Sequence, residues 1–179
     1  MSTRPGVQPD PGFALLELYG AALPEVYGYL LSRCRQRDVA EDLTAETFLA
    51  AVDATRRADP PELTVAWLIG VARHKLVDHW RRIEREARGL RLVAGAAEEP
   101  ADPWDGRLDV LLARDVLDTL GPHHQAVLTL RYLDGLPVPE VADLLGRTTH
   151  ATEALLTRAK AAFRKSYAES SFGTGGQRR

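Results

Sequence analysis

Apolar residues recur along this chain at three- and four-residue intervals, and nowhere do they alternate with polar ones over the length of a strand. Phe13 to about Arg35 reads as a helix interrupted near Pro24, with Leu15, Leu16, Leu23, Val26, Tyr27, Leu30 and Leu31 supplying its core face. Asp38 predicts an N-cap, and Glu41 three residues on completes a capping box for a helix to about Thr55. Arg56 to Glu62, with Pro60-Pro61, predicts a loop. A longer helix follows from about Thr64 to near Arg88. Its period sets Leu68, Ala72, Leu76, His79 and Ile83 on an inward face. Trp67, Val71, His74, Asp78 and Arg81 lie opposite, with Arg73 and Arg82 on the flanks.

From Gly89 to Arg107 the character shifts to Ala, Gly, Pro and acid, which predicts a linker. Helical periodicity returns over Leu108 to Leu120, Pro122 to Leu133, Pro139 to Leu145 and Thr149 to about Tyr167. The expected fold class is therefore all-α: two small helical domains joined by a flexible acidic linker, the second a helix-turn-helix domain. The expected boundaries are 12–90 and 108–167, with the linker at 91–107 and disordered ends at 1–11 and 168–179.

The formal net charge of −2 argues against a nucleic-acid binder until its distribution is examined. Residues 66–92 carry seven basic side chains and three acidic ones, whereas 93–120 carry two basic and seven acidic. Residues 147–165 carry five basic side chains and a single acid, Glu153. Two positive islands separated by negative segments predict two separate contacts with phosphate. Cys34 is the single cysteine, which rules out an internal disulfide and a thiolate metal cluster. The five histidines show no metal-ligand spacing, and no phosphate-binding loop, nucleophile elbow or dinucleotide fingerprint occurs. The expectation is a protein that is not an enzyme and takes no cofactor. No apolar run approaches the roughly 20 residues of a membrane span, and the start has no secretory pattern, so the expected place is the cytoplasm with no membrane insertion.

The sharpest local pattern is Val138 to Leu156, VPEVADLLGRTTHATEALL. Val141, Ala142 and Leu145 face inward on a first helix, Gly146 supplies a tight turn, and Thr148 or Thr149 caps a second helix. On that second helix Ala151, Leu155, Ala159 and Ala162 form the expected buried stripe. His150, Glu153, Ala154 and Thr157 point outward, where a recognition helix meets base edges. An ordinary helical hairpin with a glycine turn fits the same run; the cluster Arg158, Lys160, Arg164 and Lys165 favours DNA. In the helix from Thr64, rings and cations lie close together, as single-stranded nucleic acid requires, although Trp67 also suits a core position. After Asp38, an arc of Asp42, Glu46 and Asp53 beside Leu49 suits a docking face for a basic partner better than acid–base chemistry.

Ala40 to Ala51 (AEDLTAETFLAA) and Ala66 to Arg82 (AWLIGVARHKLVDHWRR) resemble conserved region two of the extracytoplasmic-function sigma factors. Leu117 to Pro122 (LDTLGP), Ala126 to Tyr132 (AVLTLRY) and the helix-turn-helix resemble region four. The resemblance covers about 13–167 in the family's order, with no third domain between. It implies a factor that binds core RNA polymerase and directs promoter-specific transcription, with an anti-sigma factor as a further partner. It assigns core-polymerase binding to Asp42, Leu43, Glu46, Phe48 and Leu49. It assigns the minus-ten element to Arg56, Arg57, Trp67, Arg73, His74, Lys75, Arg81 and Arg82. The minus-thirty-five element falls to Arg147, Thr148, Thr149, His150, Thr152, Glu153, Thr157, Arg158 and Lys160. The chain departs from the family's usual pattern at His74, Glu153 and Leu155, so promoter sequence does not transfer from other members. A stand-alone helix-turn-helix regulator and a sequestering helical adaptor are the alternatives, separated by whether the chain binds core polymerase.

Overall fold

The structure, a computed structural model, describes residues 11–90 and 110–174. Among them the regular elements are all helical: α1 (Pro11–Cys34), α2 (Arg37–Thr55), α3 (Val65–Leu90), α4 (Val110–Thr119), α5 (Pro122–Leu128), α6 (Val138–Leu145) and α7 (Thr149–Thr174). A single π-helical turn, Thr129–Leu133, follows α5. The expected linker 91–107 and N-terminal residues 1–10 lie outside the described residues. The chain divides into two compact units, 1–76 and 77–179, with the division inside α3. Helical continuity carries α3 past the first core.

In the first unit α1 and α2 pack along each other. Ala22, Val26 and Leu30 of α1 and Ala40, Ala51 and Ala54 of α2 have no solvent exposure, nor have Leu68, Ala72 and Leu76 of α3. The small alanines allow close helix approach while the branched side chains fill the space between. Contrary to the expected interruption, α1 runs unbroken through Pro24. Proline removes the bond to the carbonyl four residues back. Pro24 and Gly20 both face solvent, where water can satisfy the orphan carbonyl.

The expected capping box is also not formed. Gln36 is the N-cap of α2 and makes no side-chain cap bond, while Asp38 lies in the first turn. There its carboxylate still complements the helix dipole. Glu41 pairs with Arg37 at 2.9 Å, one turn back, instead of with a cap. The loop after Arg56 ends at Thr64, whose hydroxyl accepts the Trp67 amide at 3.1 Å and so starts α3. His79 and Ile83, expected inward, are both only partly covered; Val77 and Trp80 are buried instead.

The second unit is organised around α7, against which α4, α5 and α6 all pack. Val116, Val127, Leu130, Val141 and Leu155 are among its buried side chains. The helix expected over Pro122 to Leu133 changes pitch at Thr129, where the Asp134 amide bonds back to the Thr129 carbonyl at 3.0 Å. At its other end α7 continues to Thr174, into the tail expected to be disordered from 168. Stacked Phe163 and Tyr167, 6.0 Å between centroids, and a 2.7 Å bond from the Ser171 hydroxyl to the Tyr167 carbonyl accompany the extension.

Gly146 ends α6 in the left-handed region, at φ 60° and ψ 41°. Its amide bonds to the Asp143 carbonyl at 3.0 Å and the Arg147 amide to the Ala142 carbonyl at 2.9 Å, which closes the helix end. A side chain there is strained. Gly146→Ala is expected to destabilise the chain by about 1–2 kcal/mol, measured by urea unfolding.

Candidate nucleic-acid interface

The interface in the second unit is built by the turn between α6 and α7. Val141, Ala142 and Leu145 are buried as expected, anchoring α6. The chain reverses through Gly146, and Thr148 caps α7: its hydroxyl accepts the Ala151 amide at 3.2 Å. Which way α7 is turned then follows from its buried side chains. Thr152, Leu155, Leu156 and Ala159 are buried, whereas Ala151 and Ala162 are only partly so. The stripe is therefore centred farther round the helix than the alanine spacing suggests.

One assignment changes with it. Thr152 has no solvent exposure, and its hydroxyl donates to the Thr148 carbonyl at 3.0 Å. It is a core residue and cannot meet DNA. Thr149, His150, Glu153, Ala154, Thr157 and Arg158 form the exposed face. The Thr157 hydroxyl donates to the Glu153 carbonyl at 3.1 Å, and Arg158 Nε to the Ala154 carbonyl at 3.3 Å. Arg147 is half-buried, its Nη2 3.4 Å from His123 Nε2, and Lys160 is also partly exposed. Neighbouring His124 is held below the usual histidine range, first by burial and then by the Arg158 guanidinium.

In the first unit the predicted residues divide into three groups. Asp42, Glu46 and Leu49 are exposed on α2. Leu43 is buried, so it supports the surface from beneath and cannot touch a partner, contrary to its assignment. Phe48, at 8% exposure, is a groove wall: its ring meets Tyr19 edge-on at 4.9 Å between centroids. Two adjoining grooves of about 490 and 460 Å³ share Tyr19, Ala45 and Phe48.

Sequence reasoning missed part of this surface. Leu16, assigned to the core, is 69% exposed, and Phe13, Tyr19, Leu49 and Val52 are exposed beside it. Phe13, Leu16 and Tyr19 are spaced by three, a second apolar row on α1 next to the one that is buried. That doubled row was the available signal.

The minus-ten candidates are less free than their charges suggest. Lys75 Nζ lies 3.3 Å from Glu46 Oε2, so a residue assigned to DNA is paired with one assigned to the polymerase. Arg56 Nη1 is 3.7 Å from Asp53, and Arg81 Nη1 is 3.4 Å from Asp78. Arg82 Nη2 lies 3.3 Å from His79 Nδ1. Arg57 and His74 are exposed, and Trp67 and Arg73 are partly covered. The pairs of Lys75, Arg56 and Arg82 are solvated and of the kind that exchange readily for phosphate, whereas Arg81 also donates from Nη2 to the Leu144 carbonyl at 2.6 Å and is held by it.

Residues 18–86 match the model of sigma-70 region 2, and residues 111–163 match sigma-70, region 4. The extracytoplasmic-function RNA polymerase sigma factor SigC of Mycobacterium tuberculosis is 31% identical over 133 residues, covering 68% of this chain and 70% of SigC. The chain belongs to the extracytoplasmic-function sigma factors. It is also 34% identical over 149 residues to the sigma factor BldN of Streptomyces coelicolor, covering 79% of this chain but only 56% of BldN. The fold is similar to that of the sigma factor RpoE of Bartonella quintana, solved with the anti-sigma factor NepR. The TM-score is 0.51 at 20% identity, and the match covers 86% of this chain and 96% of that one. Among the described residues no helix is long and apolar enough to cross a membrane.

Thr152 separates a core role from a reading role. The Thr148 carbonyl also accepts the Thr152 amide at 3.0 Å, so removing the hydroxyl leaves it bonded. Thr152→Val is expected to change stability by less than about 1 kcal/mol in urea unfolding. The base preference of the chain's DNA binding stays unchanged.

Proposed function

We propose that this chain is a transcription initiation factor that binds core RNA polymerase and directs it to promoter DNA. The observation that carries the reading is the ordered pair of matches, region 2 over 18–86 and region 4 over 111–163, with an exposed recognition face on α7. The role is non-catalytic, and its place is the cytoplasm, where the polymerase works.

In this reading Asp42, Glu46 and Leu49 dock on the polymerase, with Leu43 and Phe48 shaping the surface from within. The exposed apolar row of Phe13, Leu16 and Tyr19 widens that surface. Acid beside apolar area suits a basic, partly apolar partner: charge speeds encounter and burial holds the complex. Arg56, Arg57, Trp67, Arg73, His74, Lys75, Arg81 and Arg82 engage the minus-ten element, cations following phosphates while the indole stacks on an exposed base. Arg147, Arg158 and Lys160 follow phosphates of the minus-thirty-five element, Thr148 holds the start of α7, and Thr149, His150, Glu153 and Thr157 face its bases. The described part of the 66–92 island and the region around α7 are thus two separate DNA contacts. An anti-sigma factor is the further partner, the RpoE relative having been solved with one. Such a protein would hold the factor inactive by covering the polymerase-docking surface.

The test is direct binding of the full chain to purified core polymerase, followed by fluorescence anisotropy. The wild-type chain is expected to bind, and the pair of changes Asp42→Lys and Leu49→Asp to weaken binding about tenfold or more. Both side chains are exposed, so folding stability should move by only about 0.5 kcal/mol. No binding by the wild-type chain would overturn the reading in favour of a stand-alone regulator. Equal binding by the double variant would remove the docking assignment.

A further inference from the structure

Glu153 is the one acid on the positively charged stretch 147–165 that carries the recognition helix, and its carboxylate has no hydrogen-bond or ion-pair partner among the described residues. It is exposed on the face shared with His150, Ala154 and Thr157. The cations nearest in sequence are Arg158, Arg147 and Lys160. Arg158 donates from Nε to the Ala154 carbonyl, Arg147 is turned to His123, and none of the three makes an ion pair with Glu153 among the described residues. The Thr157 hydroxyl uses the backbone carbonyl of Glu153 and not its carboxylate. A helical side chain leans toward the N-terminus, so Glu153 extends over the first turn of α7, the end that enters a major groove.

A free carboxylate there is repelled by phosphate and gains nothing from a groove edge made of acceptors. Guanine presents N7 and O6 acceptors, and thymine presents O4 and a methyl group. Adenine offers an amino group, but beside the N7 acceptor, which opposes a carboxylate. Cytosine alone presents its N4 amino donor without a neighbouring acceptor. We infer that Glu153 is a specificity-determining residue that selects a cytosine in the upstream promoter element by accepting a hydrogen bond from N4. The inference rests on the sigma-factor reading. It adds the base read at one position and the atom that reads it.

The chemistry also states what a replacement should do. Glutamine keeps the length of the side chain but adds an amide donor beside the oxygen, which matches the N6 donor and N7 acceptor of adenine. Glu153→Gln is therefore expected to move the preference at one position from cytosine toward adenine. Glu153→Ala should abolish it, lowering cytosine's advantage over the other bases roughly 5- to 150-fold, the range of one good base contact. General affinity should stay level or rise in both variants, because a charge repelled by phosphate is gone. A merely structural role for Glu153 would change yield at every promoter alike and would not redirect a base.

The experiment uses the full chain with core polymerase on a promoter library randomised across the upstream element, with sequenced transcripts as the readout. A wild-type cytosine preference at one position, lost in Glu153→Ala and turned toward adenine in Glu153→Gln, is the expected result. An unchanged base preference in both variants, with wild-type transcription intact, would overturn the inference and leave the family reading standing. Failure of the wild-type chain to support any promoter-specific transcription would remove the family reading itself, and the inference with it.

Discussion

The rotation of α7 about its own axis is the constraint on which the DNA-facing surface depends. Thr152, Leu155, Leu156 and Ala159 are buried in a unit where α4, α5 and α6 all pack on this helix. A helix carries about 100° between successive residues, so turning it by one residue would replace most of the exposed set. The buried side chains keep it in place, while the left-handed Gly146 and the Thr148 cap fix where it begins. Together they determine which side chains can face DNA.

The first unit follows a different logic. Its core is made of alanines and branched residues with no exposure, and large apolar groups are left outside it. Leu16, Leu49 and Phe13 on a surface that also carries Asp42 and Glu46 are better suited to a partner than to water. The Lys75–Glu46 pair of 3.3 Å joins α2 to α3 at this surface. At such partly exposed positions an ion pair contributes little stability. Either member can be exchanged for a partner's charge or for phosphate at small cost.

Element type was legible because helical periodicity is strong in nearly every segment. Ends were less legible, since they depend on bonds that do not show in apolar spacing. Asp38 and Glu41 carry a capping box in composition, yet the helix begins at Arg37, and Glu41 finds Arg37. Pro24 suggested a break that solvent exposure makes unnecessary. On α7, alanine spacing located the buried side only to within one residue, because Ala is indifferent to burial while Leu156 is not. That single residue moved Thr152 from the reading face to the core. The outward set of His150, Glu153, Ala154 and Thr157 was read correctly because Leu155 lies opposite it. The exposed row on α1 was hidden by a different ambiguity. A helix apolar on two sides reads as wholly buried unless something indicates what covers the second side.

The central claim is that two helical units act together as an initiation factor. The most direct measurement is reconstituted transcription with purified core polymerase on a pool of genomic DNA, with and without the full chain. The account predicts discrete promoter-specific starts that appear only when the chain is present. Absence of such starts, together with tight sequence-specific binding of duplex DNA by the chain alone, would contradict it.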